Sequence, residues 1–255
     1  MTLFKSESQY RETAAIWRIF SLLPLYGRLS NGRMFRWFAM NIPMDLGTGG
    51  TFTSDIDIIA LLSNYPHSRE WIAKTWEVKI SLLCKDGSVR SLKAGKIERT
   101  IKQLTAYRGF GSPDVSLLDV YVCEAGFSGS NNFPPQSFDT SLHAKLPELR
   151  RHGFGYQQLP FEHGKDLDTD VGLLAFSHQL NPFRTTFGIL PAIPSQSRDG
   201  FSRLVDRIDT FFKKAPDRDK YFNCQVIFCK RCRQLQLIRM KDEQVCPTCG
   251  SNLVA

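Results

Sequence analysis

Two consecutive apolar segments carry charged residues at alternate positions, and this pattern constrains the fold more than any other feature of the chain. Asp55 and Asp57 lie two residues apart in the first segment. Glu77 and Lys79 have the same spacing in the second. Side chains alternate between the faces of a strand, so each pair occupies one face, and adjacent strands would bring the two pairs together. Because burial of an isolated charge is costly, the sequence predicts either a structural ion pair or an active site.

Apolar periodicity predicts an α/β chain in which strands alternate with helices. The predicted strands are Met34–Ile42, Thr53–Leu62, Thr75–Leu83 and Val115–Cys123. The predicted helices are Ser6–Phe20, Ile97–Tyr107, Phe138–Arg151 and Phe201–Phe212. A helix between the last two strands implies that these strands pair in parallel, within a central mixed sheet.

The helix after the second charged segment carries two polar residues one turn apart. Ile97, Ile101 and Leu104 form its predicted apolar stripe, and Gln103 and Tyr107 lie on a neighbouring stripe. An Asp-bearing strand, a Glu-x-Lys strand and a Gln-x-x-x-Tyr helix, in this order, resemble the RecB-like branch of the PD-(D/E)xK nuclease superfamily. The resemblance implies a restriction-endonuclease-like central mixed sheet flanked by helices.

The resemblance also implies a metal-dependent active site. Asp57, Glu77 and the main-chain carbonyl of Val78 would coordinate one or two Mg²⁺ or Mn²⁺ ions, which prefer oxygen ligands. Lys79 would position the attacking water or stabilise the transition state electrostatically.

The identity of the metal-binding aspartate stays open between two residues. In RecB-like sequences the ligand Asp precedes an apolar pair, as Asp57 precedes Ile58 and Ile59, so Asp57 is favoured. Asp55 is then a second ligand or a hydrogen-bond partner of a neighbouring loop. Ser54 stands where such sequences often have a glycine, three residues before that Asp.

Three further residues have two interpretations each. Gln103 and Tyr107 would hold metal-bound water or a substrate phosphate, or they belong to a helix face that packs on the sheet. Glu12, on the first predicted helix, would supply another acidic ligand, or it is a solvated surface residue.

The C-terminal part of the chain contains two Cys-x-x-Cys motifs. Cys229 and Cys232 are separated from Cys246 and Cys249 by the thirteen residues 233–245. This arrangement resembles a zinc ribbon, in which four thiolates hold one tetrahedral Zn²⁺ in a closed, structural site. The segment Leu235–Met240 alternates enough to form a hairpin strand. No apolar N-terminal signal stretch is present, so disulfides are not favoured.

Length and charge set the outer limits. A chain of 255 residues predicts one main domain and a small metal-stapled module. The predicted divisions are a nuclease-like domain at 1–195, a linker with an amphipathic helix at 196–219, and the ribbon at 220–255. A formal charge of +8 favours attraction to a polyanion. No apolar run is long enough to span a bilayer, so we expect a soluble, cytoplasmic protein.

The leading functional interpretation is a Mg²⁺- or Mn²⁺-dependent nuclease that hydrolyses phosphodiester bonds, with DNA favoured over RNA through the resemblance. The family-level expectation is a multi-subunit prokaryotic system for defence, including antiviral defence, for repair or for mobile elements. The chain has no Gly-rich phosphate loop, so a motor or regulator would be a partner protein. The alternative is a non-catalytic adaptor that binds nucleic acid or protein on the same fold.

Overall fold

The computed structural model describes most of the predicted strands and helices. The described residues are 34–43, 55–63, 71–83, 89–91, 97–123, 145–163, 180–182, 187–194, 198–214, 224–239, 244–246 and 248–253. The first predicted helix, and Glu12 with it, lies outside these ranges.

Ten strands of the described chain form one mixed sheet. The strands are β1 (Met34–Pro43), β2 (Asp55–Ser63), β3 (Trp71–Leu83), β4 (Val89–Ser91), β5 (Asp114–Cys123), β6 (Gly155–His163), β7 (Leu180–Pro182), β8 (Phe187–Leu190), β9 (Cys224–Cys229) and β10 (Gln234–Arg239). Their order is β10-β9-β1-β2-β3-β5-β6-β7, with β4 paired to β3 and β8 paired to β6. The predicted α/β class and mixed sheet are thus confirmed.

Three helices accompany the sheet: α1 (Ile97–Phe110), α2 (145–151) and α3 (Arg198–Lys214). α1 connects β3 to β5, and these two strands pair in parallel, as the sequence predicts. A parallel pair needs a crossover connection, and here the crossover includes the helix that carries the Gln-x-x-x-Tyr pattern. The topology therefore holds α1 close to the charged positions of β3.

The apolar stripe of α1 differs from the predicted one. Thr100, Leu104, Tyr107 and Phe110 are buried, whereas Ile101 is only half-buried. Burial of the two large aromatic side chains decides the rotation of the helix, because they remove more surface from water than isoleucine does. Tyr107 therefore faces the sheet instead of lying beside the buried stripe.

The helix α3 packs its apolar side against the sheet near β1. Leu204, Ile208 and Phe212 are buried in the main core, and the Phe212 ring lies edge-on to Trp37 with ring centroids 6.1 Å apart. The helix begins at Arg198. This helix therefore starts three residues before the predicted start at Phe201 and continues two residues beyond the predicted end at Phe212.

The cysteine-bearing hairpin continues the same sheet. β9 pairs with β10 over six residues and with β1 at two positions, Trp37 with Gln225 and Phe38 with Cys224. The predicted domain boundary at 219/220 stays a prediction, but the first strand of the hairpin is an extension of the central sheet. No helix in the described part of the chain is long and apolar enough to cross a membrane.

Candidate active site and cysteine centre

Asp57 lies where the pairing of β2 with β3 ends. The last register pair before it joins Ile58 to Trp76, so Asp57 lies opposite Glu77 on one face of the sheet. The Oδ2 atom of Asp57 accepts a hydrogen bond of 2.7 Å from the main-chain N–H of Val78. This bond fixes the orientation of the half-exposed Asp57 carboxylate beside β3.

Glu77 is a buried carboxylate, and both of its oxygen atoms accept hydrogen bonds from other side chains. Its side chain is 1 % exposed, its Oε1 atom accepts a hydrogen bond from Lys79, and its Oε2 atom accepts one from the Tyr107 hydroxyl. The Oε1 atom of Gln103 lies 3.5 Å from the Lys79 ammonium. The structure therefore brings four of the predicted site residues, from β3 and α1, into one contact network.

Tyr107 serves this network as a neutral hydrogen-bond donor. Burial, followed by the negative charges of Asp57 and Glu77, raises the pKa of Tyr107 well above its ordinary value. The hydroxyl keeps its proton near neutral pH and shares it between Glu77 and the main-chain oxygen of Asp55, which is 2.8 Å away. Helix α1 is thereby tied to both β2 and β3.

The Asp55 residue is exposed at the start of β2. The Tyr107 hydroxyl contacts the main-chain oxygen of Asp55 and not its carboxylate. Its two predicted roles, as a second metal ligand or as a partner of a loop, stay predictions. The assignment of Asp57 as the metal ligand also stays a prediction.

A second buried carboxylate, which the sequence analysis missed, lies on β5. Asp119 is in register with Lys79 and is 1 % exposed. Its Oδ2 atom accepts hydrogen bonds of 2.6 Å from Tyr156 and 2.6 Å from Lys145, and a longer one of 3.4 Å from Tyr121. Polar side chains thus extend from Glu77 and Lys79 on β3 to Asp119 on β5, and from there to Tyr156 on β6 and Lys145 on α2.

The signal for Asp119 was present in the sequence. This residue interrupts the apolar segment Val115–Cys123, in the way that Asp57 and Glu77 interrupt theirs, but that segment was interpreted only as a strand. Burial, followed by the charge of Asp119, raises the pKa values of Tyr121 and Tyr156, so both tyrosines remain neutral donors.

The groups around Asp57 carry oxygen atoms of the type that a hard divalent cation prefers. Asp57, Glu77 and the Val78 carbonyl would supply oxygen atoms, and Mg²⁺ typically keeps several water ligands in addition. Oε1 of Glu77 is engaged by Lys79, so a cation that binds this oxygen would displace the ammonium. Lys79 is 20 % exposed and has solvent on one side to receive it.

The four cysteines converge at the end of the β9–β10 hairpin. Their Sγ atoms all lie within 4.8 Å of one another. The Sγ atoms of Cys229 and Cys249 are 3.6 Å apart, and those of Cys232 and Cys246 are 3.7 Å apart. A ZnS₄ tetrahedron with Zn–S bonds of about 2.3 Å has edges of about 3.8 Å. A disulfide needs about 2.0 Å, so the distances fit a zinc site and not two disulfides.

Local hydrogen bonds favour the thiolate form that a metal ion requires. The main-chain N–H of Cys232, followed by the hydroxyl of Ser251, lowers the pKa of Cys229 to about 6. The Ser251 hydroxyl, followed by its main chain, lowers the pKa of Cys249. In the described part of the chain, this cluster is the only group of three or more Cys, His, Asp or Glu side chains that could hold one metal ion.

We expect Tyr107→Phe to destabilise the protein by about 1–3 kcal/mol, because it leaves a buried carboxylate oxygen without its donor. The free energy of unfolding in urea measures this loss. Tyr121→Phe is the matched control, since its hydroxyl donates a longer bond, of 3.4 Å, to the carboxylate of Asp119. If Tyr107→Phe loses no more free energy of unfolding than the control, the stabilising role assigned to the Tyr107–Glu77 hydrogen bond is wrong.

We expect the wild-type protein to carry one Zn²⁺ per chain and the double variant Cys229→Ser, Cys232→Ser to carry none, because two ligands are lost. Metal analysis of the purified proteins with a zinc indicator provides the measurement. Cys84→Ser, which changes a cysteine outside both motifs, should retain the metal. Unchanged zinc in the double variant would disprove the assignment.

Comparison with known proteins gives no relative on which to base an assignment: no protein family model, no curated protein and no solved structure matches the chain.

Proposed function

We propose that the chain is a metal-dependent nuclease that hydrolyses phosphodiester bonds of nucleic acid, with DNA favoured over RNA. One observation carries the proposal: the buried Glu77 carboxylate lies between Lys79 and Tyr107 and opposite Asp57. The resemblance noted in the sequence assigns catalytic roles to these same residues. Their contacts, drawn from two strands and a helix, support that resemblance.

The protein groups have separate tasks in this proposal. Mg²⁺ or Mn²⁺, when bound, would lower the pKa of a coordinated water and neutralise charge on the scissile phosphate. Asp57, oriented by the Val78 N–H, and Glu77 would bind the cation. Tyr107 would keep the Glu77 carboxylate correctly turned, because it donates a hydrogen bond to one oxygen and leaves the other directed toward Lys79.

Lys79 is the group best placed to meet the substrate. Its ammonium lies beside a buried carboxylate but remains partly exposed, so a phosphate group can approach it from solvent. When it is released from Glu77, this charge would position the attacking water or stabilise negative charge in the transition state. Gln103, 3.5 Å away, would hold the released ammonium or a bound water.

A non-catalytic adaptor is the second candidate, and one specific observation favours it. Both oxygens of Glu77 already have protein donors, so the cluster is a complete structural network without a cation. In that case the same charges would stabilise the sheet, and the protein would bind nucleic acid or another protein without cleaving it.

The wider setting follows from the same proposal. The four cysteines would hold a structural Zn²⁺, whose closed ligand set leaves no position for catalysis. We propose a soluble cytoplasmic protein that acts in a multi-subunit prokaryotic defence, repair or mobile-element system. A partner protein would supply any motor or regulator.

We expect Lys79→Ala to lower the cleavage rate by at least about 100-fold, because it removes a cation that stabilises the transition state. Linear, circular and single-stranded DNA and RNA are incubated with Mg²⁺ or Mn²⁺, and the products are resolved on a gel. Lys102→Ala is the matched control, because Lys102 is an exposed residue on the adjoining helix α1. It should cleave like the wild type.

Equal cleavage by wild type and Lys79→Ala would contradict the role of Lys79. Absence of metal-dependent cleavage in every protein and substrate would contradict the nuclease proposal and favour the adaptor.

A further inference from the structure

The turn between β9 and β10 presents three positive charges to solvent. We call residues 230–233 the basic knuckle. Lys230, Arg231 and Arg233 are all exposed. In the part of the chain that the structure describes, no ion pair engages any of them. The turn is therefore a compact cationic surface whose charges are available to a partner.

The two cysteine motifs share one backbone geometry. In the first, the Arg233 N–H donates a 2.8 Å hydrogen bond to the Cys229 carbonyl, and in the second the Gly250 N–H donates one of 2.8 Å to the Cys246 carbonyl. Arg233 and Gly250 follow the second cysteine of their motifs and have φ values of 56° and 68°. The two positions are structurally equivalent, but only the second has a glycine.

An arginine at this position is not what the backbone favours. At φ of 56° the Cβ atom of an L-residue crowds the following carbonyl, so glycine is the residue that adopts this conformation without cost. The second motif meets the same requirement with Gly250. A residue held in an unfavourable conformation points to a use for its side chain, and here that side chain adds a third cation to the turn.

The basic knuckle has a fixed position relative to the candidate active site. β9 pairs with β1, β1 pairs with β2, and β2 carries Asp57, so hydrogen-bonded strands connect the two places. Following the register from Asp57 across β1 to β9 places the knuckle near the opposite end of the strands. At about 3.3 Å per residue, the separation along the strands is roughly 30 Å. That length corresponds to roughly nine base pairs of duplex DNA.

We propose that the basic knuckle binds the phosphate backbone of the nucleic acid whose cleavage is assigned above to the face of β2 and β3. This inference rests on the proposed nuclease function for the identity of its partner. Three exposed cations on one short turn, with no ion-pair partner among the described residues, suit an array of phosphates, and the net charge of +8 favours the same partner. Backbone contacts of this kind position a duplex without reading its sequence.

Fluorescence anisotropy with a labelled 20-base-pair DNA duplex tests the proposal, since this length can span both places. The titrations omit Mg²⁺, Mn²⁺ and chelators, so that cleavage is prevented and zinc is retained. Arg233→Gly should lower the affinity about eightfold at 0.1 M salt, the expected effect of one lost phosphate contact. The triple variant Lys230→Ala, Arg231→Ala, Arg233→Gly should reduce the slope of log K against log salt by about 3.

The glycine substitution separates binding from folding. Arg233→Gly installs the residue that the second motif already uses, so zinc content and thermal midpoint should equal or exceed those of the wild type. The matched control is Arg150→Ala, Arg151→Ala, which removes two exposed cations from α2, the helix whose Lys145 contacts β5 rather than the cysteine-bearing hairpin. The slope of log K against log salt should be steeper for this control than for the triple variant.

Three results would overturn the proposal. One is an unchanged DNA affinity and salt slope in the triple variant, and another is no DNA binding by the wild type at low salt. The third is a loss of binding to a poly-glutamate probe without a loss of DNA binding, which would identify an acidic protein as the partner. DNA binding that depends on the knuckle in a protein that never cleaves would support this surface and reject only the nuclease function.

Discussion

The burial of Glu77 in the middle strand of the sheet is the constraint on which the rest of the structure depends. A carboxylate in this environment needs donors on both oxygens, and two different elements supply them: Lys79 on the same strand and Tyr107 on α1. Helix α1 can deliver Tyr107 because it belongs to the crossover between the parallel strands β3 and β5. The crossover that joins the parallel strands β3 and β5 therefore also supplies the donor that the Glu77 carboxylate needs.

The hairpin that carries the cysteine centre extends this sheet beyond β1. A two-stranded hairpin is marginally stable alone, and cysteines at both ends of its turn would let a metal ion hold it closed. β9 also pairs with β1 at Trp37 and Phe38. Metal binding at the turn would therefore stabilise β1, the strand that pairs with β2. A metal ion at the cysteine centre would thus stabilise the central sheet as well as the turn that carries the cysteines.

Local patterns in the sequence were sufficient for much of this account. Alternation identified the faces of β2 and β3, the Cys-x-x-Cys spacing identified the metal-ligand cluster, and the helix between two strands predicted their parallel pairing. Each of these signals lies inside the feature it predicts or in the segment that directly connects its parts.

Features that depend on distant segments were not predicted. The pairing of Phe38 with Cys224 joins residues far apart in the chain, and no local periodicity encodes it. The position of Tyr107 was left open between two interpretations, because the burial of a tyrosine hydroxyl depends on a partner from another element, here the Glu77 carboxylate. Asp119 interrupts an apolar segment, but this local signal does not identify its partners Lys145 and Tyr156, which follow it by more than twenty residues.

The central claim is that Glu77 is a metal ligand held ready by Lys79 and Tyr107, and titration calorimetry with Mn²⁺ tests it most directly. Zinc-loaded wild-type protein should bind one or two Mn²⁺ ions, and Glu77→Gln should weaken the binding at least about tenfold, because an amide oxygen lacks the negative charge that a hard cation prefers. Asp209→Asn, which neutralises an exposed carboxylate on α3, should bind like the wild type. Equal Mn²⁺ affinity in wild type and a folded Glu77→Gln protein would contradict the account and leave the cluster a structural ion pair.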